Sequence, residues 1–524
     1  MYKIFTKKLS IVFVLLGIGI SAIAQKEVKK FGKIETTDLS ETTCPIDSNA
    51  YAYFIFDYGN SDFEYGSTIV RSDDPSSGSK GFQLMFNRHY RIKVLSNQGL
   101  DAANIEIPLY HDGENAEKIV SFKAYTYNLV GSKIEKSKVS LGDMLSERSS
   151  DNWTTQKVAM PNVKEGSVIE VEYTIQSDFI FNLRSWAFQY YFPVVYSEYH
   201  TVIPEYFTYN KTQLGFFPLE TQSKTNRKEI KLTYIQRAEG IGQEAYKSEQ
   251  TIAYQETTSD YIARNIPALK NPGFLRTVDN YRSKIDFELQ STNFPNTPMR
   301  TYGTTWENIC SNLLEHPDFG KNMEAGSFMD DAIASLKRSG TTDEALLQKT
   351  LGFAKNKYVW NGQNTKYTSE SLSKIYKNGG GNCADINLSL VALLNGLGFE
   401  TYPVVLSTQA NGIIPPTHPS LSGFDYVIAA VKLNAKVYLL DATDPNSEVN
   451  LLPIRCLNDK GFLVNKRGGE WINLMDYKPF STTEMFSLEI SKDLSMKGSM
   501  KKKLKDYAAY QEKKAIKDAK TIEG

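Results

Sequence analysis

The stretch KNGGGNCADINLSL, residues 377–390, sets a run of glycines directly before Cys383 and an apolar helical pattern directly after it. Ile386, Leu390, Leu393, Leu394 and Leu397 recur at helical spacing and make a stripe suited to burial. A cysteine at a helix start is a good setting for a nucleophile. The helix dipole and the free N–H groups of the first turn lower a thiol pKa and can hold an oxyanion. Gly379, Gly380 and Gly381 would let the backbone approach a substrate closely. The same local pattern also suits a small apolar cysteine packed in a core. Asp385 and Asn387 fall in the first turn, where an acid stabilises a helix by roughly 0.3–1 kcal/mol.

Working outward, FETYPVVLS, FDYVIAAVKL, KVYLLDAT and KGFLVN read as strands of an antiparallel sheet after that helix. Before it, residues 303–316, 325–338 and 342–357 carry apolar positions at helical period. Thr342 followed by acids opens the last of these like a capped helix. The pattern predicts an α+β domain over residues 295–480. In YVWNG, Trp360 and Asn361 precede the glycines, where they would either line a cleft or pack under a loop. Asp444-Pro445 reads as a turn.

From about residue 50 to 290 the pattern is mostly period two. Leu84, Phe86, Tyr90, Ile92 and Val94 share one face of a strand, and Asn87, His89, Arg91 and Lys93 share the other. Ile169, Val171, Tyr173 and Ile175 alternate with Glu170, Glu172 and Thr174. Turn signals such as SNQG, HDGEN and VKEG separate the runs. Residues 25–290 therefore predict antiparallel sheets in one or two sandwich-like units, so the fold class is multidomain, β followed by α+β. Residues 481–524 read as two strands and a charged helix. They suit either a tail packed on its neighbour or the start of a further β domain.

The first 24 residues have a basic start, an apolar run and Ala22-Ile23-Ala24 before QKEVKK, the layout of a secretory signal peptide. Its removal takes Lys3, Lys7 and Lys8 and leaves 57 basic against 60 acidic side chains. A balance so close to neutral makes no case for nucleic acid. The 4 cysteines and 5 histidines are scattered without metal-ligand spacing, so neither a metal nor another cofactor is expected. No other long apolar stretch argues for a membrane span.

The succession of helix, Cys383 at a second helix start, and the strands FDYVIAAV and YLLDATDP resembles the transglutaminase-like family, a papain-like thiol enzyme architecture. GNCADINLSLVALLNGLGFETYPVVLS carries the resemblance most specifically. The β-rich region before it is similar to the uncharacterised domain that precedes such domains in bacterial envelope proteins, and ARNIPALKNPGFLRTVDNYRSKIDFEL resembles the joint. The tail from Phe486 looks like the start of the β domain that often follows. The resemblance implies a cysteine, histidine and aspartate triad for acyl transfer. Cys383 takes the nucleophile position and Asp441 the orienting acid position. Tyr426 stands where the histidine belongs, and a phenol with a pKa of about 10 is a poor base at neutral pH.

His418, Asp385 and Asp425 are the remaining candidates for a base, and Gly381, Trp360 and Asn361 for the cleft. Two functions follow. One is a degenerate transglutaminase-like protein of the periplasm or exterior, binding peptide or polysaccharide in the cell envelope as a scaffold. The other is an active cysteine amidase, peptidase or transglutaminase using Cys383 with an unusual base.

Overall fold

The structure, a computed structural model, describes residues 29–66, 69–71, 81–149, 152–236, 246–270, 278–302, 305–338, 342–414, 416, 419–475 and 478–518. The proposed signal segment and His418 lie outside the described residues. No helix among the described residues is long and apolar enough to cross a membrane.

Alternation in the front half builds a nine-stranded sheet. At its centre lie Ala52–Tyr65, Phe82–Val94 and Val168–Ser177, paired antiparallel. Two smaller four-stranded sheets pack on one face, built around Lys284–Thr292 and Asn104–Asp112. Leu84, Phe86, Tyr90, Ile92 and Val94 point into the core between the sheets, with Trp186 stacked on Tyr199 at 5.0 Å and Phe63 on Phe207 at 4.8 Å. Trp186, Phe188 and Tyr199 are core residues, while Tyr191 is exposed.

Two features depart from simple antiparallel alternation. Ala52–Tyr65 pairs parallel to Val194–Pro204, and Glu220–Gln236 pairs parallel to Ile69–Arg71. A parallel pair needs a long crossover, and periodicity within a strand does not reveal which distant strand it will join. The polar face of Phe82–Val94 is also buried, because residues 29–44 lie across it. Lys93 Nζ donates to the carbonyls of Leu39 (2.6 Å) and Gly166 (2.8 Å), and burial pushes its pKa down to about 8. Arg91 Nη2 donates to Glu170 Oε1 at 2.7 Å and to the Lys33 carbonyl at 3.1 Å. Glu170 also meets His89 Nε2 (3.0 Å), the Tyr127 hydroxyl (3.1 Å) and the Gly32 N–H (3.0 Å). Buried charges here clasp the start of the chain to the sheet.

The second half is α+β. Helices Trp306–Glu315, Asp330–Lys337, Asp343–Lys357 and Leu372–Asn378 surround a central helix, Cys383–Leu397. That helix packs on a five-stranded antiparallel sheet in the order Lys436–Leu440, Tyr426–Leu433, Glu400–Leu406, Lys460–Leu463, Glu470–Asn473. Every residue from Cys383 to Leu394 is buried, so the helix is a core element on all sides. At the end, Phe480–Ile490 and Met496–Lys505 form a hairpin, followed by helix Asp506–Asp518. Tyr507 and Tyr510 of that helix dock on the α+β domain through the Leu452 carbonyl (3.0 Å) and Asp444 (2.6 Å).

The Glu170 cluster makes two measurable statements. Glu170→Ala leaves the buried Arg91 without its closest partner, and unfolding titrations should show a loss of about 3–5 kcal/mol. Burial works to raise the Glu170 pKa, but its bonds to His89 and Arg91 outweigh it and hold the carboxyl below its ordinary 4.5. A depressed acid contributes stability above its unfolded pKa and loses it as pH falls. Unfolding free energy measured against pH should therefore drop below about pH 4.5, and Glu170→Gln should flatten that drop.

Candidate functional site

The central helix is fixed at its start by a reciprocal cap. Asn382 Oδ1 accepts the Asp385 N–H at 2.8 Å, and Asp385 Oδ2 accepts the Asn382 N–H at 2.9 Å. Asp385 also accepts the N–H and hydroxyl of Ser369, each at 2.8 Å, so its carboxylate is fully engaged in holding the helix start. The glycine run serves the same junction. Gly379 ends helix Leu372–Asn378 at φ +75°, and a Cβ on Gly381 would fall 2.1 Å from Asp385 Oδ2. The pair Gly380–Gly381 runs parallel to Val359–Trp360 and draws that segment against the helix start.

Cys383 sits at this start with no solvent exposure. Its thiol donates to the Thr365 carbonyl at 2.9 Å, and the Thr365 N–H donates to Sγ at 3.2 Å. Burial pushes the thiol pKa far above its ordinary value, although backbone groups of Thr365 and Val427 pull the other way. The helix start alone would lower it; desolvation wins here.

Tyr426 opens its strand beside Cys383, in the same apolar cluster. Its hydroxyl donates to Asp441 Oδ2 at 2.9 Å and lies 2.7 Å from the Thr443 hydroxyl. Burial, with Asp441 next in effect, raises the phenol pKa well above 10. Asp441 Oδ1 accepts the Thr443 N–H (2.8 Å), the Thr443 hydroxyl (2.6 Å) and the Asn387 amide (3.2 Å). Arg455 donates to the Tyr426 hydroxyl at 3.2 Å and to Thr443 Oγ1, and its guanidinium stacks on Trp360 at 4.1 Å. Cys383, Tyr426 and Asp441 therefore share one buried site, covered by Arg455 and Trp360.

The other candidates lie at its margin. The Trp360 indole donates to the Gln363 carbonyl at 3.0 Å. Asn361, exposed, closes a turn by accepting the Gln363 N–H at 2.9 Å. Asp425 accepts the N–H (2.7 Å) and hydroxyl (2.6 Å) of Thr408, and burial raises its pKa. Burial also lowers the nearby Lys366 to about 8, with its ammonium donating to the Phe424 carbonyl at 3.0 Å.

Three participants escaped the pattern in the sequence. Arg455 stands alone in the apolar run LLPIRCL, a charge whose burial was the available signal. Cys456 places its thiol 3.5 Å from Asp441 Oδ2. Asn387 looked like a helix-start residue, yet it bridges the helix to two strands by donating to the Val427 carbonyl (2.9 Å) and accepting the Ala442 N–H (2.9 Å). Among the described residues, no group of three or more histidines, cysteines and acids is arranged to hold a metal ion.

Residues 83–237 match the family model of a domain of unknown function with solved structure, DUF3857. No curated protein matches the sequence. Among solved structures, a candidate protease from Parabacteroides distasonis is similar over 81% of this chain and 71% of its own, at 12% identity and a TM-score of 0.53. A candidate cysteine protease from Cytophaga hutchinsonii overlaps 77% of this chain and 88% of its own, at 9% identity and a TM-score of 0.20. The periplasmic domain of TgpA from Pseudomonas aeruginosa, bound to ethylmercury, overlaps 48% and 89%, at 10% identity and a TM-score of 0.18. With the Parabacteroides distasonis protein, this chain shares a β-rich multidomain fold.

Proposed function

We propose that the protein is a degenerate transglutaminase-like module of the bacterial envelope, periplasmic or secreted, that binds peptide or polysaccharide without turning it over. The observation that carries this reading is the Tyr426–Asp441 bond of 2.9 Å beside a thiol with no solvent exposure. Acyl transfer requires a base that takes the thiol proton and later returns it to the leaving group. Here the residue against the orienting acid is a buried phenol, which at neutral pH keeps its proton and donates a hydrogen bond to Asp441. Loss of a general base typically removes about 10²–10⁴ in rate, and a desolvated thiol of raised pKa removes the nucleophile as well. Arg455 supports the same reading, since it fills the space over Tyr426 and satisfies the phenol and Thr443 together. An envelope address rests on the signal-like residues 1–24 and the large β-rich front half.

Labelling with iodoacetamide between pH 6 and 9, read by peptide mass spectrometry, tests the nucleophile. Cys383 should stay unmodified in the native protein, react on unfolding, and behave alike in wild type and His418→Ala. Rapid native labelling that depends on His418 would overturn the proposal. Tyr426→Phe tests the tyrosine as a structural replacement. Removing the hydroxyl strips Asp441 and Arg455 of a buried partner, and denaturation should show a loss of about 1–3 kcal/mol.

A further inference from the structure

A cavity of about 720 Å³ lies between the front β region and the α+β domain, and Cys383 is not among its lining residues. One wall comes from strands Phe207–Leu214 and Lys284–Thr292, the other from residues 407–414 and 420–423. Hydrogen bonds to Asn280 and Glu288 hold the walls together. Asn280 Oδ1 accepts the Ile413 N–H at 2.7 Å, and Glu288 Oε1 accepts the Leu421 N–H at 2.9 Å.

The charged side chains of the lining are already answered within the protein. Lys284 pairs with Asp286 at 2.8 Å. Arg282 donates to the Gln189 carbonyl at 3.0 Å and lies against the Tyr191 ring at 5.4 Å. Glu288 is held by the backbone of Leu421 and Ser422 and by Ser420, and burial raises its pKa. Asn210, Thr212 and Ser422 add side-chain amide and hydroxyl groups, Leu214, Ile413 and Ile414 add apolar surface, and the Asn411 amide donates to Ser407 Oγ (3.1 Å) and the Gly423 carbonyl (2.8 Å).

Aromatic surface flanks the cavity. Tyr281 lines it, and Phe216, 79% exposed, stacks on Tyr281 with ring centroids 6.1 Å apart and planes 15° from parallel. Phe216 is held outward by its turn. Gly215 adopts φ +88°, where a Cβ would fall 2.4 Å from Ser283, and the Phe217 N–H donates to Ser283 Oγ at 3.3 Å. Phe217 turns in against the core while Phe216 stays in solvent.

We propose that this interdomain cavity binds a short neutral oligosaccharide, one sugar ring lying on Tyr281 and Phe216 and its hydroxyls bonding Asn210 and Thr212. A sugar ring has an apolar C–H face for the aromatic surface and an equatorial rim of donors and acceptors for amides and hydroxyls. The volume and the position at a domain junction are those of a small-molecule site. Lys284 and Asp286 neutralise each other, and Arg282 and Glu288 are of opposite sign and each engaged within the protein, so a neutral ligand suits the lining. A peptide would instead pair along a strand edge, here that of Phe207–Leu214, whereas a sugar would use the ring of Tyr281 and the side-chain amides and hydroxyls of the lining. The inference rests on the binding-module reading for its biological meaning, yet it fails separately, since a reactive Cys383 would end that reading without touching saccharide binding.

The test is calorimetry of the purified full chain against cellotetraose, maltotetraose, mannotetraose and chitotetraose, with tetra-alanine as the peptide arm. At least one saccharide should bind with a dissociation constant of about 1 mM or tighter. Phe216→Ala, Tyr281→Ala and Asn210→Ala should each weaken it about tenfold, and the remote exposed Met485→Ala should not. Phe216 is in solvent, so its variant folds and keeps the test open. Failure of all the saccharides to bind, binding indifferent to Phe216 and Tyr281, or binding of tetra-alanine alone would each overturn the proposal.

Discussion

A buried carboxylate has to be answered, and in the second half of this protein Asp441 sets the terms. It has no solvent exposure, and an unanswered charge there would cost several kcal/mol. Its oxygens collect the Tyr426 and Thr443 hydroxyls, the Thr443 N–H and the Asn387 amide. Each partner belongs to an element that is thereby placed: Asn387 locks the central helix to the sheet, Tyr426 begins its strand, and Thr443 fixes the turn after Leu440. Arg455 adds the compensating positive charge and is steadied by Trp360. The bonds that converge on this carboxylate make it a keystone of packing.

Different physical signals differed in how far they could be read from the sequence. The apolar stripe Ile386, Leu390, Leu393 and Leu394 has helical period and faces a core, since burial acts through spacing alone. Alternation in 84–94 and 169–175 assigns the inward faces for the same reason. Long-range choices leave no such mark. Nothing within Ala52–Tyr65 says that it will lie parallel to Val194–Pro204, and nothing within Phe82–Val94 says that residues 29–44 will cover its charged face. The glycines before Cys383 illustrate a second difficulty. Gly379 and Gly381 are required by a left-handed helix end and by the nearness of Asp385, while the sequence alone suits substrate approach equally well.

The site was legible in outline because Cys383, Tyr426 and Asp441 sit at positions defined by elements: a helix start, a strand start and a strand end. Arg455 was not, because it lies in a short irregular segment whose path is set by tertiary contacts. Lys366 is similar, its lowered pKa coming from burial by the packed neighbourhood and not from its own segment. Residues that answer a charge are found only once the charge's surroundings are assembled.

The terminal hairpin carries a separate implication. Phe486, Leu488, Ile490, Met496 and Met500 lie on one side of it and are more than half exposed, and among the described residues each of its strands leaves an outer edge unpaired. Such a ribbon is a template for recruiting further strands. Along its second strand run Lys497, Lys501, Lys502, Lys503 and Lys505, so two copies approaching edge to edge would meet as like-charged combs. That guard is electrostatic and is screened over about 10 Å at 0.1 M salt. The colloidal behaviour of the protein is therefore tied to ionic strength through one short ribbon, whatever the fate of its buried thiol.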